Sequence, residues 1–205
     1  MNTARRAATL VVLLAVLPAL AAAQPSLGKL AGGQGKSSTT EHVQACRQAV
    51  NALAKALKQR LQQAVADSGV VGALQVCSVE AIPLTERISL EEGVSVGRTA
   101  LRVRNPRNAP DAWERQTLEQ FAGRLDRGEQ AAGIEAWTVQ EDSLGHHTFR
   151  YMKAIVTGPL CLKCHGSRLR PAVSARIRQL YPEDQATGFH VGDLRGAFTV
   201  TKPLD

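Results

Sequence analysis

Residues 161–165 read Cys-Leu-Lys-Cys-His, and no other stretch of the chain limits its fold so strongly. In a C-x-x-C-H segment the two thiols add across the vinyl groups of a haem as thioethers. The spacing sets both sulfurs along one edge of the macrocycle, and the adjacent imidazole reaches the iron. Two other chemistries use a C-x-x-C pair. A redox dithiol belongs in a thioredoxin-like strand–helix–strand context, and a structural zinc site needs a second Cys or Cys/His pair at ligand spacing. The flanking sequence offers neither. One covalent haem c, joined to Cys161 and Cys164 with His165 as the proximal axial ligand, is therefore the expected cofactor. With aromatic residues at only 4% of the chain, a bound macrocycle would also supply apolar volume that the side chains lack.

The N-terminus supports that reading. Arg5 and Arg6 precede an uncharged apolar run, Ala7 to Leu20, and Ala21-Ala22-Ala23 gives an A-x-A cleavage pattern. This is the layout of an export signal, too short for a membrane span. Residues 1–23 are expected to be a cleaved signal peptide, 24–37 a flexible leader, and 38–205 a single domain in the periplasm, where c-type haem is attached. No membrane span is expected in the mature chain. Cations exceed acids, with a net charge of +7, but the two signs are interleaved without a long basic block, which argues against nucleic acid as a partner.

The order of elements predicts an α+β fold. Ser38 and Glu41 fit a capping box, and Val43, Cys46, Val50, Leu53, Leu57, Leu61 and Ala64 recur at helical spacing. Gly69 and Gly72 mark the end of that helix. A second helical stretch runs from about Val70 to Arg87, with Pro83 as its kink. From Val94 the pattern turns extended, and Asn105 to Pro110 is turn chemistry. Pro110 or Asp111 opens a helix through Leu125. Ile134–Gln140 and His147–Val156 read as an antiparallel hairpin turning at Ser143-Leu144-Gly145. Gly158-Pro159 breaks it just before the C-x-x-C-H segment. Pro171–Tyr181 is a short helix and Arg195–Thr201 a closing strand. Ordinary small cytochromes c, all helical, lack this order.

The sixth iron position has several candidates: Cys46, Cys77, Met152, His42, His146, His147 and His190. Cys77 stands out because Ala73 and Ala81 lie one turn before and after it on the same helix face, leaving space for a flat macrocycle. A thiolate there would lower the iron's reduction potential. Cys77 is otherwise a core residue or the disulfide partner of Cys46, which lies on the apolar stripe of the first helix. Met152 shares a strand face with Ala154 and Val156 and reads as core. His146 and His147 sit at a hairpin tip, His190 in a loop, and His42 near a helix start where exposure is expected. Arg102 and Arg104 alternate on one strand face and are candidates to clamp haem propionates, although an exposed basic edge has the same pattern. Tyr151 and Trp137 fit either a haem pocket or an ordinary core.

Three separated blocks in order, 100–114 (ALRVRNPRNAPDAWE), 151–166 (YMKAIVTGPLCLKCHG) and 181–200 (YPEDQATGFHVGDLRGAFTV), resemble the Tll0287-like c-type haem domain family, DUF3365. The resemblance implies a PAS-like antiparallel sheet with N-terminal helices, one covalent haem c, and His/Cys axial ligation. The Cys role carries over to Cys77 within LQVCSVEA. In this family the domain often forms the extracytoplasmic sensor of a membrane receptor. No later span, kinase or other output segment is expected here, so relay through a redox partner or membrane sensor protein is expected. The function expected is a redox or diatomic-gas sensing module, with a soluble monohaem electron carrier as the alternative. Catalysis is not expected: a peroxidase would need a positioned distal acid–base group, for which His190 or Arg102 would have to be drafted.

Overall fold

The computed structural model describes residues 34–204, with side chains from Thr39 onward. The expected signal peptide lies outside the described residues. Helix α1 spans Gln34–Glu92. It is under way before Ser38, so Ser38 and Glu41 lie inside the helix rather than capping it, and residues 34–37 of the expected leader are helical. The helix breaks at Gly69 (φ 68°, ψ −177°), a backbone conformation open essentially to glycine alone. We call residues before and after Gly69 the first and second limbs.

The kink expected at Pro83 is absent, since the second limb stays helical through it to Glu92. Proline at 83 removes one backbone donor and frees the carbonyl of Val79, four residues earlier. Both residues are exposed, so solvent can replace the missing bond. Gly72, read as a helix end, is likewise inside the second limb.

The remaining elements are β1 (Ser95–Thr99), α2 (Ala112–Asp126), β2 (Glu135–Glu141), β3 (His147–Val156), α3 (Leu162–His165), α4 (Pro171–Leu180) and β4 (Leu194–Pro203), with 3-10 turns at Pro106–Asn108 and Ala131–Gly133. The strands form one antiparallel sheet in the order β1-β4-β3-β2. The fold is α+β, as the element order predicts.

Side chains alternate across a strand, and this sheet uses both faces. Val96, Phe149, Tyr151 and Val200 meet Val43, Cys46, Val50 and Leu53 of the first limb and Ile88 of the second. Met152 and Ala197 point the other way, onto Leu118 and Phe121 of α2 and Ile134. α2 is fixed at its start by a reciprocal cap: Asp111 accepts from the Glu114 N–H at 2.9 Å, and Glu114 accepts from the Asp111 N–H at 3.2 Å. A third cluster joins Leu74 of the second limb to Val173 and Ile177 of α4, with Cys164 and Leu169 against it. That cluster sets the C-x-x-C-H turn beside the second limb.

Candidate cofactor site

Cys161 to His165 form a single helical turn just after Gly158-Pro159. The His165 N–H donates to the Cys161 carbonyl at 2.8 Å, and the Gly158 N–H meets Cys161 Sγ at 3.4 Å. His165 is fixed from outside the turn. Its Nδ1 stands 2.6 Å from the Ala186 carbonyl oxygen. A carbonyl only accepts, so Nδ1 carries the proton and Nε2 keeps its lone pair. Burial, then the positive charges of Arg195 and Arg104, push the imidazole pKa down to about 3. The ring is therefore neutral at physiological pH, the form in which it binds a metal.

The segment that supplies Ala186 is itself braced. The Phe189 N–H donates to the His165 carbonyl at 2.9 Å, and the Gly188 N–H to the Gly166 carbonyl at 3.1 Å. Arg104 pairs with Asp184 through Nε at 2.9 Å and Nη2 at 3.1 Å. The same Nη2 donates to the carbonyls of Cys164 at 2.7 Å and Ala186 at 3.2 Å.

Beside this turn lies a cavity of about 270 Å³. The second limb of α1 contributes Ala73, Leu74, Cys77 and Ala81, and the first limb adds Leu61 and Val65. Cys161, Cys164 and His165 line it from α3, and Gly196 from the start of β4. Gly196 has a steric role: a Cβ there would meet the Thr99 carbonyl oxygen at 2.4 Å, closing the approach of β4 to the end of β1. Burial raises the Cys77 thiol above its ordinary pKa, against the opposing pull of Arg98, Arg104 and Arg60. Burial raises Cys164 likewise.

The structure brings Cys77, Cys161, Cys164, His165 and Arg104 together and leaves the other sequence candidates elsewhere. Cys46 is a free thiol in the core under the sheet, its pKa pushed up to about 11 by burial. Cys77 is also free, so the two are not joined as a disulfide. Met152 is fully buried against α2. His146 pairs with Asp142 at 3.1 Å at the hairpin tip, where His147 begins β3, and exposed His190 pairs with Asp193 at 3.5 Å. His42, expected to be exposed, is half-buried; its ring lies 5.3 Å from that of Phe149, and its Nδ1 is 3.2 Å from Lys202 Nζ. Tyr151 is core, donating its hydroxyl to Glu135 at 2.6 Å, and Trp137 is 47% exposed on the edge strand β2.

The arginine pair divides. Arg102 is exposed, stacks 4.2 Å from the centre of the Phe189 ring and donates to the Gln185 carbonyl, outside the cavity lining. Arg104 lines the cavity, but its guanidinium is engaged by Asp184 and two backbone carbonyls. Sequence reading missed Arg98, Arg195 and Tyr181, which also line the cavity. Arg98 alternates with Val96 on β1 and with Ala100 just beyond it, a signal that places it on the buried side. Nothing local marks Arg195 or Tyr181.

Among the described residues, no group of three or more His, Cys, Asp and Glu side chains is disposed to hold a bare metal ion.

A profile of the Tll0287-like family matches residues 33–203. Among solved structures, the crystal structure of the cyanobacterial heme-protein Tll0287 superposes with a TM-score of 0.58 at 26% sequence identity, covering 85% of this chain and 98% of that one. No curated protein matches the chain.

Proposed function

The chain belongs to the Tll0287-like family, and on that premise we propose that it is a periplasmic haem-binding module that senses redox state or a small ligand. It would carry one haem c, attached through Cys161 and Cys164. The observation that carries this reading is that Cys77 and the Cys161–His165 turn line the same cavity from two separate elements. His165 offers a neutral imidazole whose Nδ1 is already committed to Ala186, leaving Nε2 for iron. Ala73 and Ala81 flank Cys77 with small side chains, which lets a flat group reach the sulfur. The similar solved structure is of a heme-protein.

When bound, haem supplies a one-electron couple and a site for diatomic ligands. The chain's part is to orient His165, to exclude water with apolar side chains, and to offer Cys77 as a second axial donor. A thiol held up by burial is converted to thiolate only by a strong local positive charge such as iron. Gain or loss of that bond would shift the helix that carries Cys77, giving the site two states that a partner can read.

The test is the ultraviolet–visible and EPR spectrum of the ferric protein, produced with haem-attachment machinery, beside Cys77→Ala. A low-spin thiolate signature that disappears in the variant is the expected result. Identical spectra from the two proteins would reject Cys77 as a ligand.

Electron carriage is the second reading. It is favoured by the exposed cations Lys163, Arg168 and Arg170 around the haem-attachment turn, which suit an acidic redox partner. A high midpoint potential with fast exchange to such a partner would select it over sensing.

A further inference from the structure

Two guanidinium groups reach the cavity without an acid to meet them. Arg98 on β1 and Arg195 on β4 both line it. Among the described residues, neither has a carboxylate oxygen within 4.0 Å. Arg195 makes one long hydrogen bond, Nη1 to the Arg102 carbonyl at 3.4 Å, and its guanidinium carbon lies 5.4 Å from the centre of the Phe189 ring; its buried Nε has no hydrogen-bond partner. No hydrogen bond to a described residue satisfies the Arg98 side chain. Both arginines are half-buried, and a cation drawn out of water with neither counter-ion nor filled donors destabilises a fold. Burial accordingly pulls both guanidinium pKa values down, that of Arg195 to about 10.

Arg104 provides the contrast, since Asp184 already neutralises it. Arg98 on β1 and Arg195 on β4 belong to neighbouring antiparallel strands, so both reach the cavity from the sheet, on one side of it.

We propose that Arg98 and Arg195 form a carboxylate-binding pair that takes the two propionates of the haem, an assignment that rests on the haem reading above. Guanidinium–carboxylate contacts would fill the empty donors and restore charge balance. The sequence candidates Arg102 and Arg104 are not part of this pair, one lying outside the cavity and the other satisfied by the protein.

The experiment uses the haem-loaded protein with Arg98→Gln, Arg195→Gln, the charge-retaining Arg98→Lys and Arg195→Lys, and Arg102→Gln as comparator. Haem per chain is read from the pyridine haemochrome, propionate bending from resonance Raman, and midpoint potential as a function of pH. In both Gln variants the propionate bands should shift and the potential should fall, because a positive charge favouring the reduced iron has been removed. A proton-linked slope should also appear across the mildly acidic range, as the released carboxyl begins to titrate. Arg102→Gln should match the parent. Fully loaded Gln variants with the parent's bands and potential would overturn the assignment. If a Gln variant takes up no haem, the Lys variants carry the test, because they keep the charge but lose the forked geometry. Unmoved propionate bands in both Lys variants would overturn it equally. A parent protein that itself takes up no haem would reject the haem reading, a result distinct from either.

Discussion

Arg104 and His165 donate to the same carbonyl oxygen, that of Ala186, from 3.2 and 2.6 Å. The imidazole's orientation is therefore tied to an ion pair, because the guanidinium that shares its acceptor is held by Asp184, with both side chains under 10% exposed. Removing Arg104 strands a buried carboxylate. We expect Arg104→Ala to cost about 3–5 kcal/mol of folding stability, the range for breaking a buried pair from one side. Urea denaturation checks this, and the double variant Arg104→Met/Asp184→Leu should recover a large share of the loss. A single variant as stable as the parent would mean that the pair does not brace the turn.

Ala81 lines the cavity one helical turn beyond Cys77. Ala81→Phe should leave the far-ultraviolet circular dichroism of the protein unchanged, with an overpacking cost of about 1–3 kcal/mol. Haem incorporation should be largely lost, because the ring would occupy space intended for the macrocycle. Undiminished haem content in this variant would show that the cavity is not where the group sits.

Glu135 gathers Arg47 from α1 and the Tyr151 hydroxyl around one carboxylate. The hydrogen bonds from Arg47, resisted by burial and assisted by Tyr151, hold its pKa below the ordinary glutamate value. A carboxyl depressed in the folded state contributes stability that is present above its unfolded pKa, roughly 4.3. That contribution fades as pH falls through the lower folded value. Glu135→Gln should therefore lower stability at neutral pH by about 1 kcal/mol, a modest figure because Arg47 is half-exposed and screened. It should also flatten the acid limb of a thermal-melt series run downward from pH ~5. An acid limb as steep as the parent's would assign the proton uptake to other groups.

Gly69 carries the break in α1 with φ 68° and ψ −177°. A Cβ at 69 would meet no neighbouring atom within 4 Å, so any cost of substitution is backbone strain alone. Gly69→Ala should lose about 1–3 kcal/mol. The loss should appear as a lower midpoint in thermal unfolding. Val70, one residue on, packs against the Leu74–Val173–Ile177 cluster, so the second limb should loosen with it.

The readable parts of this molecule are those whose signal is local. The hairpin of β2 and β3, the opening of α2 at Asp111 and the break before residue 161 follow from alternation, turn chemistry and Gly-Pro within a few residues. Helical spacing alone puts Ala73 and Ala81 on the face of Cys77, and all three line the cavity. What the chain hides is decided at long range. The break at Gly69 falls where the sequence reading ends the first helix, but the kink expected at Pro83 is absent, because exposure at Val79 and Pro83 lets the helix pass. The arginines show the same limit. Arg102 and Arg104 alternate as a strand pair should, but β1 ends at Thr99. The stretch beyond it is shaped by Asp184, Gln185 and Ala186, some eighty residues on.

The second limb of α1 is pinned at both ends. Gly69 is a swivel at one, and at the other the Ser89 hydroxyl is bonded to both the N–H and the carbonyl of Val96, at 3.1 and 3.2 Å. A beam held in this way cannot slide along its length; it can only bow or roll about its own axis. Cys77 lies near mid-span, where a bow has its greatest amplitude, and the exposed Val79 lies within one turn of it. A pull on the sulfur would therefore be delivered to the outer surface of the helix as lateral displacement, with little movement at either end.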